Sequence, residues 1–141
     1  MKIIAVDFDG TITDGDRWPR IGQARMAVIK ELKKQQELGA KLILWTCREG
    51  KDLEAAVKWC REYGLEFDAV NDNLEENKAR FGNNSRKVFA TEYWDDKGVM
   101  VRHHGSCTNI VCPAEQGGMV VKTWRNGMLR RAMVIGEEET Q

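Results

Sequence analysis

A surplus of charge of either sign is missing from this chain: 22 basic residues meet 22 acidic ones, and the formal net charge is zero. No strong overall field draws it toward nucleic acid or an anionic membrane, which leaves only local patches for such contacts. Long hydrophobic runs are missing too, since none approaches the roughly eighteen apolar residues of a membrane span. The four apolar residues between Lys2 and Asp7 are too few for a secretory core, so a cytoplasmic location is the expectation. Cysteine is sparse. Four thiols in 141 residues without secretory features read as reduced cysteines and not as a disulfide framework. Internal repeats and low-complexity segments are absent as well. What remains, 42% apolar and 31% charged residues, is the composition of a globular domain with one real core.

The first informative stretch is Ile3-Ile4-Ala5-Val6-Asp7-Phe8-Asp9-Gly10-Thr11. Its four apolar residues read as a strand buried on both faces, and Gly10 breaks that strand where two carboxylates emerge. In a straight strand the period of two puts Asp7 and Asp9 on one side. A polar loop, Thr13-Asp14-Gly15-Asp16, closes on Trp18-Pro19. Residues 24–38 then carry apolar positions near helical spacing, with Gly39 as the stop. Lys41 to Trp45 is a second buried strand, ending in Thr46-Cys47-Arg48. Leu53, Ala56, Val57 and Cys60 fall at i, i+3, i+4 and i+7 within a helix from Lys51 to Tyr63, which Gly64 ends. A short strand, Phe67 to Val70, leads into Asn71-Asp72-Asn73. A brief helix from Glu75 to Phe81 stops at Gly82, and Lys87 to Thr91 begins a further strand running toward Asp95-Asp96.

Strands alternating with helices predict βαβ crossovers. The expected fold is α/β, a three-layer Rossmann-like parallel sheet with helices on both faces. Too few residues separate the strands for a cap domain. The rhythm stops at Gly98. Val120–Trp124, Asn126-Gly127 and Met128–Ile135 read as a β-hairpin with an Asn-Gly turn, so residues 99–141 are expected to form a β-rich extension packed on a core of residues 1–98. Glu137-Glu138-Glu139 reads as a frayed tail.

Ligands of open α/β sheets bind at the carboxyl ends of the strands. Here those ends hold Asp7 and Asp9, Thr46 and Arg48, Asn71 to Asn73, and Asp95 and Asp96. Carboxylates, a hydroxyl and cations at one sheet edge make an oxygen-lined site suited to magnesium, and the ion would relieve the repulsion among the acids.

These residues resemble the haloacid dehalogenase superfamily of aspartate-nucleophile phosphatases. The likeness rests on Asp7-Phe8-Asp9-Gly10-Thr11, on Thr46 after an apolar strand and on Asp95-Asp96 after another. Trp18-Pro19-Arg20-Ile21-Gly22, the run from Ile43 to Gly50 and Phe67-Asp68-Ala69-Val70-Asn71 look like a small, capless bacterial and phage branch of it. The resemblance covers residues 1–98 and implies a magnesium-dependent phosphomonoester hydrolase. By that likeness Asp7 is the nucleophile that forms an aspartyl-phosphate, and Asp9 is the general acid and base whose backbone carbonyl also meets the metal. Thr46 would hydrogen-bond a phosphoryl oxygen, with Gly10, Cys47 and Arg48 around the substrate. Asp96 would touch magnesium directly and Asp95 would stand behind it.

The superfamily also needs a cation to balance the phosphoryl charge. Lys78, near the start of the helix after Asn71, is the choice, with Arg80 and Arg48 in reserve. Lys87 is set aside because an extended strand at about 3.3 Å per residue would hold it about 26 Å from Asp95. The uncapped site would admit a small phosphorylated substrate or a phosphorylated nucleic-acid end, and Trp18 either stacks on a base or packs its loop. No membrane partner is expected.

His103, Cys107 and Cys112 have a spacing within the range of structural zinc sites, although exposed histidines and half-buried thiols are the default reading. Cys47 lacks a nearby histidine base, which speaks against a cysteine nucleophile. A catalytically silent phosphate- or partner-binding protein on the same fold is the alternative function. A third is an assembly subunit that forms a homodimer through hairpin edges.

Overall fold

The computed structural model describes residues 1–15, 17–103, 119–125 and 128–135, with backbone alone from residue 99 onward. The chain divides into two units, Met1–Asp95 and Asp96–Gln141.

The first unit is built on four parallel strands: β1 (Ile3–Val6), β2 (Lys41–Leu44), β3 (Ala69–Val70) and β4 (Glu92–Trp94), in the order β3-β2-β1-β4. The fold is therefore α/β, as the alternation of strands and helices predicts. Helices α1 (Met26–Glu37), α2 (Gly50–Glu62) and α3 (Glu75–Phe81) make the connections. The period of two sorts the strand residues by face. Ile4, Val6, Leu42 and Leu44 meet Ile29 and Leu32 of α1 and Ala56 and Cys60 of α2 in the larger core. Each fully buried Leu or Ile there is worth about 2 kcal/mol of transfer free energy. Burial in this layer also pushes the Cys60 thiol up to about 12, so it is an inert filler.

The opposite face is covered more thinly. Ile3, Ala5 and Ile43 pack against Leu74, which caps α3, and against Val88 in the loop after it. That loop corrects the sequence reading, which puts a strand at Lys87–Thr91. The side chain of Asn73 captures the segment instead: its oxygen accepts from the Phe89 N–H at 2.7 Å, and its nitrogen donates to the Ser85 carbonyl at 2.9 Å. Pairing with β1 starts only at Thr91, whose N–H donates to the Ile3 carbonyl.

Helix ends lie where glycine predicts them. Gly64 has φ 79°, and the Leu65 N–H reaches back to the Cys60 carbonyl at 2.9 Å, closing α2. Among the described residues no helix is long and apolar enough to cross a membrane, and no segment between strands of the first unit forms a cap domain.

The second unit holds an antiparallel sheet in the order β5-β6-β7, with β5 Val99–His103, β6 Met119–Arg125 and β7 Met128–Ile135. Strands β6 and β7 pair from Met119 with Ile135 to Arg125 with Met128, the hairpin that the sequence predicts. Its Asn126-Gly127 turn lies outside the described residues, as do Cys107 and Cys112 and the Glu137–Glu139 tail, so the zinc reading has no structural counterpart among those described.

Candidate functional site

Parallel register brings the site together. Val6 pairs with both Leu44 and Trp94, and Leu44 pairs with Val70, so the residues that follow these positions leave the sheet at one edge. Asp7 extends the pairing by one step, its N–H donating to the Trp94 carbonyl at 2.9 Å. Carboxylate oxygens of Asp7, Asp95 and Asp96 consequently lie within 4.8 Å of one another, Asp7 and Asp96 half-buried and Asp95 exposed. All three belong to the strand-end carboxylates that the sequence reading gathers around magnesium, with Asp96 against the ion and Asp95 behind it. A set made only of carboxylate oxygens suits a hard divalent cation such as magnesium.

Asp9 goes elsewhere, which corrects the straight-strand reading. The strand ends at Val6, and Phe8–Ile12 forms a wide turn closed by the Thr13 N–H on the Phe8 carbonyl at 3.0 Å. Gly10 takes φ 89° inside it, a conformation that glycine alone adopts at little cost. A side chain at Gly15 would meet the backbone of Gly10, so the two glycines let the turn and the following loop close on each other.

The turn aims the Asp9 carboxylate at Arg48, whose Nε and Nη2 donate to its two oxygens at 2.7 Å each. Arg48 is only 1% exposed. Its guanidinium also donates to the carbonyls of Pro19 at 2.9 Å and Arg20 at 3.2 Å, and it lies between the rings of Trp18 and Phe8, 4.8 and 5.1 Å from their centroids. Arg48, expected beside the substrate, thus joins Asp9 to the 18–20 loop. Trp18 packs one face on Arg48 and remains 57% exposed. Nothing in the sequence announces this pair, whose members stand 39 positions apart.

Thr46 is held by its backbone. Its N–H donates to Asn71 Oδ1 at 2.8 Å, while Asn71 Nδ2 donates to the Arg48 carbonyl at 3.1 Å. The Thr46 hydroxyl oxygen accepts from the Arg48 N–H at 3.2 Å, which leaves the hydroxyl proton as a donor. Asn71 has φ 49°. The sequence places Asn71 at a strand end and in a motif of the resemblance without announcing this backbone; the signal for it is asparagine at a strand end, the residue most tolerant of this conformation after glycine. Cys47 is exposed between Thr46 and Arg48.

Lys78 reaches the same side of the β3 end, donating to Asp72 at 2.6 Å and Glu75 at 2.7 Å. Hydrogen bonding to Asp72, then to Glu75, raises the Lys78 pKa above its ordinary value. Hydrogen bonds from Lys78 and then Asn84 lower that of Asp72, against a small opposing effect of burial. Arg80 is exposed and lies over the Phe81 ring at 5.5 Å. Lys87 does not hang from the far end of a strand, as expected; its ammonium sits 5.2 Å from the Tyr93 ring centroid.

No family model matches the chain, and no curated protein matches it. Among solved structures, a conserved protein from Bacteroides thetaiotaomicron superposes with a TM-score of 0.60 at 45% sequence identity, the match covering 68% of this chain and 76% of that one. Identity of 45% over that span is far beyond shared architecture alone, and the chain belongs to the same family as this Bacteroides protein.

Proposed function

We propose that the chain is a magnesium-dependent phosphomonoester hydrolase working through an aspartyl-phosphate on Asp7, a member of the haloacid dehalogenase superfamily. The observation that carries this reading is the convergence of Asp7, Asp95 and Asp96 within 4.8 Å where two adjacent parallel strands end. A divalent cation shared by the three would relieve the repulsion among them. Asp7, Asp95 and Asp96 would hold magnesium, and the ion when bound would neutralise charge on the phosphoryl oxygens.

Asp7 contributes the attacking oxygen. Its new bond to phosphorus forms as the ester P–O bond breaks, and the leaving oxygen takes a proton from Asp9. Water then attacks the same phosphorus and returns a proton to Asp9, releasing inorganic phosphate and regenerating the Asp7 carboxylate. Both oxygens of Asp9 accept from Arg48. Arg48 thus sets the position from which Asp9 acts. The free Thr46 proton serves one phosphoryl oxygen, and Lys78 supplies positive charge from the β3 side.

Release of phosphate from a generic aryl phosphate, measured with magnesium, with a chelator and in Asp7→Asn, tests the proposal. Turnover only in the first case is expected. Equal rates in all three would end it.

A further inference from the structure

From Ala79 to Thr91 the chain carries three cations, Arg80, Arg86 and Lys87, and no acid, in a molecule whose overall charge is zero. Most other cations with a described contact near the sheet are neutralised: Lys2 pairs with Glu92, Lys41 with Asp68 and Lys78 with Asp72. Among the described residues, Arg80, Arg86 and Lys87 make no ion pair. Two of them lie over aromatic rings instead, Arg80 at 5.5 Å from Phe81 and Lys87 at 5.2 Å from Tyr93.

The rings themselves are open to solvent. Phe81 is 47% exposed, and Phe89 and Tyr93 are each 45% exposed. Phe81 and Phe89 stand 5.4 Å apart with their planes tilted by 57°. The surface is also held in shape. Buried Asn73 fixes Phe89 and Ser85 through hydrogen bonds, Asn84 reaches Asp72 at 2.9 Å, and the Tyr93 hydroxyl donates to the Val88 carbonyl at 2.7 Å. Asp72 in turn holds Lys78, so this face is continuous with the β3 side of the candidate site.

We propose that the face formed by Arg80, Phe81, Arg86, Lys87, Phe89 and Tyr93 binds single-stranded nucleic acid. Unpaired cations suit the phosphates, and solvent-exposed aromatic rings suit unstacked bases, a pairing of features that tracks a single strand regardless of its sequence. A duplex hides the base faces from the rings, and an acidic peptide leaves the rings unused. The face gives the proposed hydrolase a substrate class, a phosphorylated nucleic-acid end; that consequence rests on the phosphatase reading, whereas the binding itself does not.

Fluorescence anisotropy of the full chain with a labelled oligothymidylate of about twelve nucleotides tests the binding without any turnover. Binding in about 50 mM salt is expected, weakening steeply as salt rises. Phe81→Ala with Phe89→Ala should lower affinity by roughly tenfold or more. Arg86→Glu, an exposed change that leaves the fold intact, should weaken binding and flatten the salt dependence. The proposal is overturned if the wild type does not bind at low salt, if Arg86→Glu binds as well as wild type, or if duplex or polyglutamate competes as strongly as the single strand. Because no phosphate release is measured, an inactive but binding chain would sink the hydrolase alone.

Discussion

Arg48 grips Asp9 with both arms of its guanidinium, each bond 2.7 Å long, in a pair whose arginine is sealed between Phe8 and Trp18. A charge-assisted fork of this kind fixes direction as well as distance. The consequence is that the second acid of the Asp7-Phe8-Asp9 motif is oriented by a residue from the end of another strand, and the Pro19 and Arg20 carbonyls are tied to the same post.

Removing that post has two expected effects. Arg48→Ala strands a largely buried carboxylate and should lower unfolding free energy by about 3 kcal/mol in denaturant titration. Arg48→Lys keeps the charge but cannot fork, so it should retain more stability while kcat for phosphate release falls by about tenfold or more. A small change in KM beside that fall marks a positioning role. If Arg48→Lys left kcat untouched, the fork would have no part in the reaction.

Magnesium should stabilise the folded chain. A ligand that binds only the native state adds about 2.7 kcal/mol at a hundredfold excess over its Kd. In thermal melts, wild type should therefore show a Tm rising with magnesium, and Asp7→Asn or Asp96→Asn should lose most of the rise. A monovalent salt at matched ionic strength separates ion binding from screening. A Tm indifferent to magnesium in wild type would remove the metal from the site.

Much of this was legible in the residues, for definable reasons. Four consecutive apolar residues before Asp7, followed by a glycine break, read as a strand covered on both faces, and Gly39, Gly64 and Gly82 stop helices through positive φ. Since parallel strands share a direction, locating their ends in the sequence also located the Asp7, Asp95 and Asp96 cluster. What escaped depends on side chains that override local pattern. Val88 and Phe89 look like strand residues, yet Asn73, 16 positions earlier than Phe89, takes the N–H that a strand partner would need. The same holds for Asp9: alternation aims it with Asp7, and the Gly10 turn together with Arg48 turns it away.

Lys78 and Asp72 predict a pH signature. Asp72 has its pKa lowered from an ordinary value of 3.8, so its contribution is complete above that value and is lost as pH falls through the lowered one. Lys78 has its pKa raised from an ordinary 10.5, so its contribution is complete below that value and fades as pH climbs past it. The stability difference between wild type and Asp72→Asn should then be flat between about pH 5 and 9 and shrink on either side. Solvent around the pair keeps the plateau small. Chemical denaturation at five or six pH values measures it, and a difference that grew toward acid would contradict the assignment.

Asn71 separates backbone from side-chain roles. At φ 49° an L-residue is held in the left-handed region, where asparagine is tolerated and alanine costs about 1 kcal/mol. Its side chain meanwhile joins Thr46 and Arg48 through two hydrogen bonds, each worth about 1 kcal/mol net. Asn71→Gly removes the bonds but suits the backbone, whereas Asn71→Ala removes the bonds and adds strain. Unfolding experiments should rank wild type above Asn71→Gly and Asn71→Gly above Asn71→Ala. Both variants leave the Thr46 N–H without its acceptor and free the loop that carries its hydroxyl. Turnover should therefore drop in the two by a similar factor despite their unequal stability. Activity that followed stability instead would mean that Asn71 supports the fold and does not position Thr46.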